Sequence, residues 1–421
     1  MANVFQVTDL VAREALRVAH EKAAFITTTD LQYDDYYKQN GQGKHGATLR
    51  VKKPNQYTRR QGSRVMAVQD QDERTQTITV AIQDGVDMRF NSQELIQSVA
   101  NGAAFNDLSK NYIIPAVSGL VSGIESDFIA FCTKATYNTA GTAGTPPTDL
   151  VAVGAARAKL NQNLAPKDGN RNIMYDSINM DTIVNGLKGL FQDSAQIKEQ
   201  YREGMLGRTA MADWYENDRM WTLTNGSDVT GSTDAAALVT DGALASGTTN
   251  GTTIDMHTLV AVAAQVVGQV FTVAGIVQCH PETKAVLPGA PLQQFTITAI
   301  GATTTTMSPQ VFMTGPRQNV CTSAGAQVTS ASFNAQVLTF VGVASTSYVQ
   351  NLMYHKEAYQ FITADLPLMD DAQKCVRRTQ DGLSIRVWMA SDIRNDELLM
   401  RLDILYGMAA LRPEWGSRIT M

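Results

Sequence analysis

A chain of 421 residues exceeds what one hydrophobic core usually organises, and at roughly 150 residues per domain it points to two or three domains. Its 35 basic and 40 acidic residues leave a formal charge of -5, so no basic surplus exists to neutralise a row of phosphates, and tight direct nucleic-acid binding is excluded as its main activity. Cys132, Cys279, Cys321 and Cys375 lie far apart with no C-x-x-C pair, which argues against a zinc site or a disulfide framework and for reduced thiols in a cytosol.

The N-terminus lacks a basic n-region and Asp9 interrupts its short apolar stretch, so export by a cleaved signal is not expected. Residues 7–26 predict an amphipathic helix: Val7, Val11, Ala15, Val18, Phe25 and Ile26 approximate one stripe, with Thr8 or Asp9 as N-cap. The opposite face carries Arg13, Glu14, Arg17, Glu21 and Lys22, with Arg17 and Glu21 spaced to pair at i,i+4. So one-sided a helix at a chain end needs a partner surface. Because terminal segments contribute few contacts to a monomer's core, the expected role is in assembly, with little effect on subunit stability.

From Gly41 to Met88 the texture turns polar and β-prone, with strands expected at 47–53 and 75–82. Between them Arg59, Arg60 and Arg64 precede Asp70, Asp72 and Glu73, giving a long hairpin with a basic and an acidic arm. A two-stranded ribbon with so little apolar content must lie on another surface. Laid across a neighbouring copy, its charges would fix register. Asn91 and Glu94 suggest the cap of a short helix, and a spine helix is predicted over 115–136, where Ile113, Val117, Leu120, Ile124, Phe128 and Phe131 recur at spacings of four and three. That length spans roughly 33 Å.

A Gly/Thr/Pro turn region at 139–148 precedes helical patterns at 149–164 and 180–200, with a short strand at 172–175. Residues 225–252 contain no Lys, Arg or aromatic residue and read as a loose lead-in to an inserted module. Strands at 269–277, 292–300, 310–313 and 335–343, separated by Gly/Pro turns, suggest that the module is a small β-barrel or sandwich. Leu259 to Cys279 carries no formal charge, yet Gln265, Gln269 and Gln278, two glycines and the absence of flanking basic anchors favour buried strands over a membrane helix. Beyond residue 348 the mixed texture resumes, with paired strands predicted at 384–389 and 398–405.

No catalytic constellation survives inspection. A G-x-G-x-x-G at Gly41, Gly43 and Gly46 lacks the strand before it and the helix after it, and reads as a hinge of the ribbon. Cys279 and His280, adjacent on a strand, point to opposite faces and read as a buried thiol and a turn histidine. His355 with Lys356 and Glu357 has no nucleophile or orienting group spaced to complete it. Neither the acidic ribbon residues nor the five histidines follow a calcium or zinc spacing. No enzyme, cofactor or metal is expected.

Four stretches resemble the coat-protein family of the short-tailed Salmonella phage P-twenty-two: Val11-Ala-Arg-Glu-Ala-Leu16, Gly46-Ala-Thr-Leu-Arg-Val-Lys-Lys-Pro54, Gly268-Gln-Val-Phe-Thr-Val-Ala-Gly-Ile-Val277 and Leu405-Tyr-Gly-Met-Ala-Ala-Leu-Arg-Pro413. Their order along nearly the whole chain carries the resemblance. It implies an α+β protein of the Hong Kong-type tailed-phage capsid fold with an inserted β-barrel domain. Residues 1–38 would be an N-terminal arm, 39–90 the E-loop ribbon and 91–138 a peripheral domain with the spine helix. Residues 139–222 and 348–382 would form an axial domain, 223–347 the inserted barrel, 383–407 further peripheral strands and 408–421 a C-terminal segment.

The function implied is that of a major capsid protein, self-assembling into hexamers and pentamers of an icosahedral shell in the host cytoplasm. Its partners would be other copies of itself, a scaffolding protein, a portal protein and enclosed double-stranded DNA held without sequence-specific contacts, with no membrane. The alternative is another phage structural protein, a neck, tail or decoration component. Arg59, Arg60, Arg64, Asp70, Asp72 and Glu73 are the candidates for the intersubunit interface, and Arg13, Glu14, Arg17 and Glu21 for scaffold or neighbour contact.

Overall fold

A computed structural model describes residues 7–31, 48–66, 68–69, 73–91, 112–187, 208–227, 255–260, 265–300, 304–328, 337–369, 374–380 and 383–421. The chain begins with helices α1 (Val7–Lys22) and α2 (Ala24–Thr28), then strands β1 (Thr48–Lys53), β2 (Arg74–Thr79) and β3 (Ile82–Asn91). The long helix α3 (Ile114–Ala135) leads through β4 (Thr139–Ala140) to α4 (Val151–Gln162), β5 (Arg171–Tyr175) and α5 (Ser177–Leu187). Strands β6 (Arg208–Thr209), β7 (Ala212–Glu216) and β8 (Thr222–Thr224) precede β9 (Asp255–Val260), β10 (Val270–Gln278), β11 (Leu292–Ile300), β12 (Thr304–Phe312), β13 (Val320–Cys321) and β14 (Leu338–Phe340). Last come β15 (Ser347–His355), β16 (Tyr359–Ala364), β17 (Lys374–Gln380), β18 (Leu383–Asp392), β19 (Glu397–Ala410) and β20 (Gly416–Thr420).

Contacts divide the chain into two units, the first formed by residues 1–51, 76–129 and 359–411. Its sheet runs β16-β19-β18-β17, with β3 also paired to β19, all antiparallel. The register sets Arg386 opposite Asp403, and Asp403 in turn opposite Gly85. Asp403 is fully buried and accepts from Arg386 Nη2 at 2.6 Å and from Arg401 Nε at 2.6 Å. Gly85 is the residue this allows, because a Cβ there would stand 2.6 Å from the Asp403 carboxylate.

The arm helix has its partner within this unit. Val11, Ala12, Ala15, Leu16 and Ala19 are buried, and α1 packs against β17 and β18. Phe25 of α2 meets the Phe128 ring edge-on at 5.1 Å, and its amide donates to the buried Glu125 carboxylate at 2.5 Å. This packing argues against the expectation that the arm contributes little to subunit stability: α1 and α2 close a core of their own subunit.

The second unit comprises residues 52–75, 130–358 and 412–421. Its main sheet runs β4-β20-β15-β5-β7-β6, with β8 paired to β15. β5 is buried along its whole length, and the β5–β7 and β4–β20 pairs are parallel. Helix α4 covers β20 and β4. Arg418 of β20 is fully buried and donates to the carbonyls of Gly268 (2.6 Å) and Lys134 (3.2 Å) and to Thr296 Oγ1 (3.0 Å).

The segment expected to be an inserted module also belongs to this unit. Its strands run β13-β10-β11-β12-β9, with β14 on β10. Phe271, Val273, Phe295, Ile297, Met307 and Leu338 belong to one buried cluster beneath them. Among the described residues no pairing joins β9 to β13, so the expected closed barrel is seen as an open antiparallel sheet. The segment 259–279, which could be mistaken for a membrane span, contains the end of β9 and all of β10. Among the described residues only α3 is long and apolar enough to cross a membrane, and its Val117, Leu120, Ile124 and Phe128 are buried in protein. The short helix expected after Asn91, the glycine motif at 41–46 and the helical pattern past 187 lie outside the described residues.

Candidate assembly interface

The ribbon rises from the β1–β2 pair. Along β1 the side chains alternate between exposed Thr48, Arg50 and Lys52 and half-buried Leu49, Val51 and Lys53, as a strand with one covered face requires. At the base Lys52 Nζ pairs with Glu73 Oε2 at 2.8 Å, and Arg74 donates to the Pro54 carbonyl at 2.8 Å. Higher up, the Gln69 side chain takes the place of a missing strand pair: its Oε1 accepts the Thr58 amide at 2.8 Å and its Nε2 donates to the Thr58 carbonyl at 2.7 Å. At the tip Gly62 turns the chain at φ 76°, in the region that favours glycine.

The three arginines of the basic arm are all exposed here. Arg59 donates to Gln61 Oε1 at 2.9 Å, while Arg60 folds back on the carbonyls of Arg64 (3.4 Å) and Val65 and so holds the tip loop together. Glu73 is taken up by Lys52 and stands at the base; Asp70 and Asp72 lie outside the described residues. On α1, Arg13 is exposed, and Arg17 pairs at 2.6 Å with Glu14, one turn before it. The Arg17 guanidinium holds the Glu14 carboxyl below its ordinary range. The Glu21 side chain lies outside the described residues.

Charge drew attention to the ribbon, and its apolar content was missed. Tyr57, Val65, Met66 and Val68 are 55%, 77%, 74% and 83% exposed, large apolar side chains on the same ribbon as the arginines. The signal was present as Val65-Met-Ala-Val68 between charged neighbours, too short to read as an element.

The remaining polar groups read as structure. His280 Nδ1 accepts the amides of Glu282 and Thr283, both at 3.2 Å, as a turn histidine does, and Cys279 is buried. His355 is 1% exposed and packs edge-on against Trp415. Its Nδ1 accepts the Glu357 amide at 3.3 Å, so Nε2 carries the proton and donates it to Asp168 Oδ1 at 3.0 Å. Burial pushes the Asp168 carboxyl up, but the Asn170 amide, His355 and the Asn170 side chain together hold it at about 2. Asp168 is the partner that sequence spacing could not supply. Among the described residues no group of His, Cys, Asp and Glu could hold a metal ion.

No curated protein matches the chain. Among solved structures it is similar to Mycobacterium phage Che8, at 9% identity over 94% of this chain and 90% of that one, with a TM-score of 0.46. It is also similar to the capsid of the Cyanophage P-SCSP1u, at 10% identity over 89% and 82% with a TM-score of 0.40. The virus-like particle from Pyrococcus furiosus is similar at 5% identity over 98% of both chains, with a TM-score of 0.40. The family described as P22 coat protein, gene protein 5, matches residues 72–420. That match runs from inside the ribbon to the penultimate residue, and the chain therefore belongs to the P22 coat protein family and is a phage capsid subunit.

Proposed function

We propose that this capsid subunit assembles into hexamers and pentamers of an icosahedral shell that encloses double-stranded DNA, on the Hong Kong-type fold with the β module as its inserted domain. The family match over residues 72–420 carries the reading. A scaffolding protein would organise the first shell in the host cytoplasm, a portal protein would occupy one vertex, and DNA would be enclosed without base-specific contacts, in keeping with the formal charge of -5.

Its action is association. Exposed clusters of large apolar side chains mark interaction surfaces. Burying Tyr57, Val65, Met66 and Val68 against a neighbouring copy would contribute about 1.5–3 kcal/mol for each side chain fully covered, more than solvent-screened ion pairs supply. Arg59 and Arg64 would then select register, and Lys52 with Glu73 would hold the ribbon base in its own subunit. Size-exclusion chromatography with negative-stain microscopy tests this. Closed shells are expected; rings or tubes would point to a neck or tail component, and a small soluble oligomer alone would overturn the reading.

A further inference from the structure

The second unit contains a cleft of about 510 Å³ whose walls come from segments distant in sequence: the ribbon base, the turn after β10, the loop before β13 and the chain after β19. Lys53, Arg74, Lys284, Arg317 and Arg412 line it, against two carboxylates, Glu282 and Glu414. This is a surplus of three positive charges in a chain whose formal charge is -5.

The cations are held in place. The Arg317 guanidinium lies 3.7 Å from the Phe312 ring centroid and that of Arg412 lies 4.1 Å from Trp415, so both planar forks are oriented by stacking. Arg74 is tied to the Pro54 carbonyl, and Lys284 donates to the carbonyls of Pro281 (2.5 Å) and Gln318 (3.3 Å). Burial pushes the Lys53 ammonium below its ordinary pKa; Glu414 pushes it back, and Arg74, Arg412 and Arg317 push it down again. Lys284 is lowered too, chiefly by burial. Like charges held together in a partly shielded cleft repel one another, and an anion would relieve that repulsion.

We propose that this cleft binds a multiply charged phosphate-class oxyanion, a short oligophosphate, through the converging side chains of Lys53, Arg74, Lys284, Arg317 and Arg412. Its volume falls within the roughly 300–1,000 Å³ of small-ligand sites. A charge surplus of three matches a pyrophosphate or triphosphate group better than a single carboxylate, and guanidinium forks suit tetrahedral oxyanions. The same chemistry serves free inorganic oligophosphate and the phosphate tail of a nucleotide.

The unassembled subunit is the material to test, so the outcome is independent of the shell reading. Sodium tripolyphosphate should raise its Tm in a saturable way, beyond sodium chloride of equal ionic strength. Titration calorimetry should show about tenfold weaker binding for Lys53→Met and for Arg317→Gln, each tested alone in case one fails to fold. Without ligand, Lys53→Met should melt no lower than the parent chain, because it removes a repelled charge. ATP matching tripolyphosphate would support the proposal with a nucleotide as source; tripolyphosphate binding alone would support it with the inorganic ion. Equal stabilisation by chloride, or unchanged binding in both variants, would overturn it.

Discussion

Asp403 shows how much one residue decides in this protein. It is fully buried between Arg386 and Arg401, and Gly85 opposite leaves the space it needs. Removing one partner of a buried pair leaves an uncompensated charge, so Asp403→Ala should lower stability by about 3–5 kcal/mol, read as a reduced urea midpoint with an unchanged m-value. A second residue, Lys159 on α4, donates to Gln294 of β11 at 2.5 Å, and burial pushes its ammonium down to about 8. Since an unfolded lysine titrates near 10.4, the unfolded chain holds a proton between about pH 8 and pH 10 that the folded chain lacks. Stability should therefore rise with pH across that window. Urea midpoints at pH 7.5 and 9.5 check it against Lys159→Met, which should lack this part of the rise. Neither residue stood out in the sequence, because a charged residue on a strand or helix reads as solvated until its neighbours across the fold are known.

Among elements, the arm is tied to its own subunit by the burial of Val11, Leu16 and Phe25 and by the Phe25 amide on Glu125. Deleting residues through Phe25 would uncover β17 and β18 and leave the Glu125 carboxylate without that donor. The Tm of the unassembled subunit should fall by several degrees, equivalent to roughly 2 kcal/mol or more; an unchanged Tm would restore a purely assembly-directed role. The inserted module has its own apolar cluster, and Thr224 pairs with Ser347 where its two ends meet. Expressed as residues 223–347, it should melt cooperatively and give dispersed amide resonances. It should also be less stable than in the full chain, because Thr296 and the Gly268 carbonyl lose Arg418.

On the scale of the whole molecule, the proposed contacts of the ribbon with a neighbouring copy would multiply small interactions, since a shell repeats each contact many times. Arg60 holds the tip loop together, so the test of intersubunit register belongs to Arg59 and Arg64. Reversing both to Glu should leave the subunit folded, raise the concentration needed for assembly and make assembly markedly salt-sensitive. Replacing Val65, Met66 and Val68 by Ser should raise that threshold with little salt dependence, because apolar burial is not screened. Light scattering against subunit concentration at low and high salt separates the two. An unchanged threshold for both variants would remove the ribbon from the interface.

The sequence by itself determined the local features. α3 at Ile114–Ala135, β5 at Arg171–Tyr175, β11 at Leu292–Ile300 and the β18–β19 pair all lie within a few residues of where periodicity put them. The order of four short stretches also pointed to the family. Periodicity and turn residues act over a few positions, so they can be read without knowing the rest of the chain. Tertiary structure alone decided that the arm packs on β17 and β18, that Asp168 serves His355, that Arg418 joins β20 to the module, and that the module's sheet stays open among the described residues. Each joins residues brought together by register and packing, whose free energy depends on burial and charge across the fold and leaves no trace in local spacing.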